Sequence, residues 1–104
     1  MTGDTMIKHI VMWRLKKIEG KTKVDSGSKI ETEINKLPDL IKEIKALEVG
    51  INVNPSERAS DVVLVSEFES MEKLKQYQDH PEHLKVVALL QPLTEEVRVV
   101  DYEL

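Results

Sequence analysis

Imidazole and phenol groups are the conspicuous reactive chemistry of this 104-residue chain. The chain has no cysteine, and it has three histidines and two tyrosines: His9, His80, His83, Tyr77 and Tyr102. The absence of cysteine excludes disulfides, thiolate zinc sites and cysteine nucleophiles. Because imidazole titrates near pH ~6.5, a histidine can accept or donate a proton at neutral pH. The inventory therefore points to acid–base chemistry, supported by carboxylates and amines.

The tightest cluster of these groups is the run Tyr-Gln-Asp-His-Pro-Glu-His from Tyr77 to His83. Tyr77 lies on the apolar stripe of one predicted helix, and His83 shares a side of the next predicted helix with Val87. His9 lies on an apolar face of the first predicted strand. If these faces meet, the two imidazoles and the phenol form an inward-facing acid–base site, which is worth roughly 10²–10⁴-fold in rate.

A structural explanation competes with the functional one at each position. A histidine on an apolar strand face is most often a core residue with hydrogen-bonded ring nitrogens, and Tyr77 can pack with its hydroxyl at the surface. His80 is expected to cap the helix that follows it. The spacing His80-x-x-His83, with Asp79 and Glu82 nearby, offers metal ligands, but no metal signature is complete, so no metal site is predicted.

The elements that must position these residues are predicted in the order β-α-β-β-α-(α)-β. Strands are predicted over 6–15, 44–53, 61–68 and 95–103, and the final helix over 81–90. Thr22 and Asp25 have the spacing of a capping box at the start of the first helix. Apolar residues recur along that helix at helical spacing, with Pro38 interrupting it: Ile30, Ile34, Leu37 and Ile41. Apolar stripes are also predicted on the later helices: Met71, Leu74 and Tyr77, then Leu84, Val87 and Ala88.

This order is typical of a ferredoxin-like α+β fold, a four-stranded antiparallel sheet with helices on one face. The connection over 54–60 is short enough to make the second and third strands antiparallel neighbours. One domain is predicted over residues 6–104, after a disordered N-terminal extension over residues 1–5.

The opposite face of the sheet also carries apolar residues, including Ile10 and Met12 in the first strand. Because large exposed apolar patches are unusual, a second copy of the chain is expected to cover this face, giving a homodimer. Two sheets packed face to face would form a dimeric α/β barrel. A stable interface of this kind buries on the order of 1,600 Å² or more.

The composition limits the other partners. A formal net charge of −4 argues against nucleic-acid binding, because a nucleic-acid-binding domain usually presents a basic face. The chain has no long uncharged apolar run, so no membrane partner is predicted. No secretory signal pattern is visible, and with no cysteine either, the expected location is the cytoplasm.

The chain resembles the stress-responsive A/B barrel (Dabb) family. The resemblance lies in the opening strand over 6–15, in 50–53, in the stretch from Phe68 through Leu74, Tyr77, His80-Pro81 and His83, and in 99–102. It implies a dimeric barrel of ferredoxin-like subunits. Most members have no assigned activity, whereas plant polyketide cyclases of the olivetolic acid cyclase type close a ring by aldol chemistry without a cofactor.

The catalytic tyrosine and histidine of those cyclases fall on Tyr77 and His83, and their first-strand histidine falls on His9. The plant enzyme's pocket uses an aromatic residue from the region of the first helix, whereas the first helix here has none.

The two-sided sheet and the resemblance together lead us to expect a homodimer that binds a small apolar ligand between sheet and helices. Val11, Trp13 and Val87 are expected as further ligand-binding residues.

Three alternatives remain open. The first is a cofactor-free cyclase in which His83, Tyr77 and His9 transfer protons. The second, by fold analogy alone, is a cofactor-free oxygenase. The third is a structural dimer with no ligand. No cofactor is expected in any of these cases.

Overall fold

The computed structural model of the protein describes residues 5–104 and has the predicted order of elements. These are β1 (Ile7–Leu15), α1 (Lys23–Asn35), α2 (Leu37–Leu40), β2 (Ala46–Ile51), β3 (Val62–Phe68), α3 (Met71–Asp79), α4 (Pro81–Leu90), a 3₁₀ turn (Gln91–Leu93) and β4 (Thr94–Glu103). Strand β2 is shorter at both ends than predicted. Residues 1–4 of the predicted N-terminal extension lie outside the described residues, and Thr5 is exposed.

The four strands form one antiparallel sheet in the order β2-β3-β1-β4. This is the predicted ferredoxin-like α+β fold, with β2 and β3 adjacent as the short connection required. Strand β1 is central and pairs with β3 on one side and β4 on the other. It therefore fixes the register of the two strands beside it.

The two faces of β1 differ because its side chains alternate between them. One face is buried under the helices and consists of Ile7, His9, Val11, Trp13 and Leu15. The other face carries Ile10, half-buried, and Met12, exposed. No helix in residues 5–104 covers this second face, which we call the open face.

Local sequence signals set the helix boundaries. The Thr22–Asp25 capping box begins α1, with the side chain of each residue bonding the backbone N–H of the other. Pro38, in the first turn of α2, separates that helix from α1, since proline cannot supply the N–H that a continuous helix needs. Even so, the predicted stripe is continuous across the break, and all four of its members are buried: Ile30, Ile34, Leu37 and Ile41.

The junction between α3 and α4 is a single residue, His80, which ends one helix and begins the next. It is extended, as expected for a residue before proline. Its Nδ1 accepts a hydrogen bond from the Glu82 backbone N–H at 3.0 Å, which confirms the predicted cap. The chain therefore bends sharply between Tyr77 and His83.

Two predicted helix stripes were wrong in part. Met71 is 54% exposed, so the inner side of α3 is Leu74 and Tyr77. In α4, Leu84, Val87 and Ala88 are exposed, and the inner side consists of His83, Val86, Leu89 and Leu90. The sequence Leu-Lys-Val-Val-Ala-Leu-Leu is apolar around nearly the whole helix, so periodicity could not choose its buried side.

The longest helix, α1, has 13 residues. Within the described range, 5–104, no helix is both long and apolar enough to cross a lipid bilayer. Apolar residues of α1 and α2 instead pack against the sheet as part of a single core.

Replacing Ile30 by alanine should test this core. Ile30 is fully buried, so Ile30→Ala should lower the free energy of unfolding by about 2–5 kcal/mol through lost burial and the resulting cavity. Val24 lies on the same helix and is 69% exposed, so Val24→Ala is the matched control and should change stability by less than about 0.5 kcal/mol. Urea denaturation followed by circular dichroism measures both; equal losses would contradict the described packing of α1.

Candidate functional site

A cavity of about 320 Å³ lies between the helices and the sheet face that they cover. Its volume is at the lower end of the range for small-molecule sites, roughly 300–1,000 Å³. All six residues predicted from the sequence line it: His9, Val11, Trp13, Tyr77, His83 and Val87. The structure thus brings together residues that are far apart along the chain, in one strand and two helices.

Strand β1 places His9 in the lining of the cavity, where it is only 4% exposed. Its Nδ1 is hydrogen-bonded to the Asp101 carboxylate of β4. The two residues are direct cross-strand partners, so both side chains project from the same face of the sheet. Since a carboxylate accepts hydrogen bonds, Nδ1 carries the proton and the ring is held in one orientation.

Sequence reasoning missed Asp101. In β4, Val97, Val99 and Asp101 alternate with residues of the other face, and the register places them opposite Trp13, Val11 and His9. The valines also line the cavity. The only signal in the sequence was that Asp101 continues the alternation of Val97 and Val99. This signal can be interpreted only when the pairing of β4 with β1 is known.

Helix α3 positions Tyr77, which is 1% exposed and packed among other rings. Its ring centroid lies 4.4 Å from that of His83, 4.9 Å from that of Phe68 and 6.3 Å from that of His9. Burial raises the pKa of the Tyr77 phenol far above its ordinary value, so the hydroxyl stays protonated. Tyr77 is therefore a hydrogen-bond donor at neutral pH and cannot act as a base there.

The Tyr77 hydroxyl is not fully sealed off from solvent. Within residues 5–104 it makes no hydrogen bond to the protein, yet the only fully buried side-chain polar atom without a partner in that range is Ser26 Oγ. The hydroxyl therefore keeps a small accessible surface, and Tyr77 is one of the residues that line the cavity. The alternative in which it points to the outer surface does not hold, because the residue as a whole is buried.

The bend at His80 brings His83 Nδ1 to 3.0 Å from the backbone carbonyl oxygen of Gln78. A carbonyl oxygen only accepts, so Nδ1 carries the proton and Nε2 of the neutral ring has the free lone pair. Partial burial lowers the pKa of His83, and the nearby His9 lowers it further, against the opposing effect of the Gln78 carbonyl. His83 is thus neutral at pH 7 and can accept a proton at Nε2.

The remaining candidates lie elsewhere or are apolar. Tyr102 is on the open face, in the strand position expected for it, and does not line the cavity. From the first two helices, the apolar residues Ile34 and Leu37 line the cavity. Among the described residues, no group of three or more histidine, aspartate or glutamate side chains is placed to hold a metal ion.

Comparison with known proteins places the sequence in a family context. The family model described as Stress Responsive A/B Barrel Domain matches residues 7–104. The stress-response A/B barrel domain-containing protein DABB1 of Arabidopsis thaliana is 30% identical over an alignment that covers 95% of this chain and 47% of that protein. The chain therefore spans about half the length of this relative.

Solved structures show the same fold. A dimeric ferredoxin-like protein of unknown function from Bacteroides fragilis is 35% identical, with a TM-score of 0.87 and coverage of 95% of this chain and 96% of that one. A dimeric ferredoxin-like protein of unknown function from Thermobifida fusca is 25% identical, with a TM-score of 0.80 and coverage of 96% and 92%. A hydroxynitrile lyase from Passiflora edulis is 21% identical, with a TM-score of 0.81 and coverage of 97% and 94%. At that identity the lyase shows the fold alone.

Titration of the histidines by NMR should test the electrostatics of the cavity. In the folded protein, the midpoint for His83 should fall below its value in the urea-unfolded chain, ordinarily about 6.5. Because the unfolded chain then binds more protons at acidic pH, the contribution of His83 to stability is complete above about pH 6.5 and is lost as pH falls through the folded value. His83→Gln assigns the signal. A folded midpoint at or above the unfolded one would contradict the described burial.

Proposed function

The chain belongs to the stress-responsive A/B barrel domain family, and from this premise we propose that it is a homodimer that binds a small, largely apolar organic molecule in the cavity between sheet and helices. The observation that supports ligand binding best is the composition of the cavity. Most of its lining is aliphatic, and two imidazoles and a phenol meet at one end. Binding sites for small molecules combine apolar walls with a few placed polar groups in this way.

The open face supports the homodimer. Its centre is a cross-strand cluster of Ile10, Val65 and Val100, which the register places side by side. Charged pairs lie towards its edges, Lys8 with Glu67 at 3.6 Å and Arg14 with Glu96 at 3.8 Å. An apolar centre with a charged rim is the usual anatomy of a protein interface. The Bacteroides fragilis and Thermobifida fusca neighbours are themselves described as dimeric.

A charge placed on the open face should separate the dimer. The wild-type protein should have twice the chain mass of 11.9 kDa at micromolar concentration in analytical ultracentrifugation. Val100 is 49% exposed in the single chain, so Val100→Glu should leave the subunit folded but bury an unpaired charge in the dimer, giving a monomer. The matched control Val24→Glu, on the helix side, should remain dimeric. A monomeric wild type would contradict the proposal.

A second candidate, a cofactor-free enzyme that transfers protons, is favoured by the state of His83. Its Nδ1 is fixed to the Gln78 carbonyl oxygen, and its lowered pKa leaves Nε2 unprotonated at neutral pH. In this proposal Nε2 removes a proton from a carbon next to a carbonyl group. General bases of this kind function best when their pKa lies near the working pH.

The electrons left on the substrate by this step move onto the carbonyl oxygen, giving an enolate. The Tyr77 hydroxyl, protonated and without a hydrogen-bond partner in residues 5–104, donates a hydrogen bond to that oxygen, and in an apolar cavity such a donor is worth more than in water. His9, held by Asp101, orients the substrate at the same end. The enolate carbon then attacks a second carbonyl carbon, and the resulting alkoxide takes the proton back from His83, which completes an aldol ring closure.

Exchange of α-protons in β-polyketones tests the enzyme candidate. In D₂O, the protein should accelerate deuterium incorporation, and His83→Ala should lower this acceleration by roughly 10²-fold or more. The rate should rise with pH through a midpoint below about 6.5 and then level off, because only the neutral imidazole accepts a proton. Gln76→Ala, an exposed neighbour of Tyr77, is the control.

Each outcome of this experiment separates the two candidates. Binding of a polyketone with no accelerated exchange would support a carrier or sensor and contradict the enzyme. Accelerated exchange that His83→Ala leaves unchanged would contradict His83 as the base. The cytoplasmic location predicted from the sequence stays a prediction.

A further inference from the structure

The charge inventory of the cavity restricts what it can bind. Within the described chain, neither lysine nor arginine is among its lining residues. Two of the three lysines of α3 and α4 form ion pairs, Lys75 with Asp79 at 3.1 Å and Lys85 with Glu82 at 3.0 Å, and the third, Lys73, does not line the cavity. Burying an anion without a paired cation is strongly unfavourable. The cavity thus lacks the groups that would stabilise a carboxylate or phosphate ligand.

The histidines do not supply the missing positive charge at neutral pH. His9 is paired with Asp101, so the pair carries either no net charge or one negative charge, depending on whether His9 is protonated. His83 is neutral because burial lowers its pKa. The polar end of the cavity therefore has no surplus positive charge in any combination of these states.

The hydrogen-bonding groups at this end are complementary to one another. Among the described residues, neither the Tyr77 hydroxyl, a donor, nor His83 Nε2, an acceptor in the tautomer set by Gln78, has a hydrogen-bond partner. Their ring centroids are 4.4 Å apart, so the donor and the acceptor belong to adjacent rings that both line the cavity. A hydroxyl both accepts and donates. A carboxylate or an ether only accepts, and would leave the lone pair of His83 without a partner.

The sheet register arranges the rest of the cavity as an apolar channel leading away from this end. Cross-strand pairs follow one another in the order His9 with Asp101, Val11 with Val99, and Trp13 with Val97. Four residues of strand correspond to about 13 Å. A ligand with its polar group between Tyr77 and His83 would therefore place an apolar stem along the valines.

From these observations we infer that the cavity selects uncharged molecules with a hydroxyl group on an apolar stem, phenols, enols or alcohols, and rejects anions of the same shape. The hydroxyl donates to His83 Nε2 and accepts from the Tyr77 hydroxyl. This inference rests on the proposed ligand-binding function and adds the charge and headgroup of the ligand to it.

A matched set of probes tests the inference: 4-propylphenol, 4-propylanisole and 4-propylbenzoate, titrated into the full chain at about pH 7.5, where a phenol with a pKa near ~10 is uncharged. Binding is measured by calorimetry, and its location by NMR shifts of the His9 and His83 rings. We expect the phenol to bind about five- to tenfold more tightly than the anisole, the difference of one net hydrogen bond. The benzoate should bind more weakly than either.

Two variants of similar shape assign the effect. His83→Phe removes the acceptor while keeping a ring against Tyr77, and should abolish the preference for the phenol over the anisole. Tyr77→Phe removes the donor and should weaken both of these probes by a similar factor. Gln76→Ala should change neither affinity, and the thermal midpoint of each variant shows whether it remains folded.

The outcomes separate this inference from the proposed function. A benzoate that binds as tightly as the phenol to the wild type would overturn the inference and leave the ligand cavity standing. A phenol preference that persists in a folded His83→Phe would do the same. If none of the probes binds or shifts the ring signals, the inference and the ligand-binding function are both wrong. The wild-type ranking alone decides the first case, even if a variant does not fold.

Discussion

Strand β1 has one face against the helices and the other on the open face of the sheet. The placement of the core, the cavity and the open face depends on this division. Its inner residues complete the core beneath the helices and bring His9 to the cavity. Its outer residues, Ile10 and Met12, form part of an apolar face that helices of the described chain leave open. Because β1 is central and pairs with both β3 and β4, the side chains of those two strands are divided between the same two faces of the sheet. The cavity on one side and the apolar open face on the other, which we propose as ligand site and dimer surface, are therefore two consequences of one alternating sequence.

The cavity places polar groups in apolar surroundings, which is costly unless each group has a defined partner. Asp101 orients His9, and the Gln78 carbonyl orients His83. Both partners bind Nδ1, so each imidazole has Nε2 as its remaining ring nitrogen. The Tyr77 hydroxyl has no such partner among the described residues and is the group with unused hydrogen-bonding capacity. The site thus combines imidazoles that protein partners hold in place with a hydroxyl that no described residue binds. This combination suits it to binding a ligand.

Several elements show which structural features the residue patterns could predict and which they could not. The capping box at Thr22 and the cap at His80 were predicted because each uses atoms within three residues of one another. The buried side of α4 was not fully predicted, because its apolar residues surround the helix and only the packing against the sheet selects one side. Asp101 was not found, because its role depends on a partner 92 residues away. The family resemblance identified the site residues more specifically than their spacing did, since it pointed to His9, Tyr77 and His83 by position.

The sequence by itself determined the order of elements, the ferredoxin-like fold, the two-sided character of β1 and the small set of residues capable of acid–base chemistry. These features depend on local propensity, alternation and composition, which are written directly into neighbouring residues. Only the tertiary structure decided which ring nitrogen of His9 and of His83 is free, and that no lysine or arginine among residues 5–104 lines the cavity. Protonation and tautomer are set by burial and by groups brought close through folding, and neither distance nor solvent exclusion is encoded in the spacing of residues along the chain.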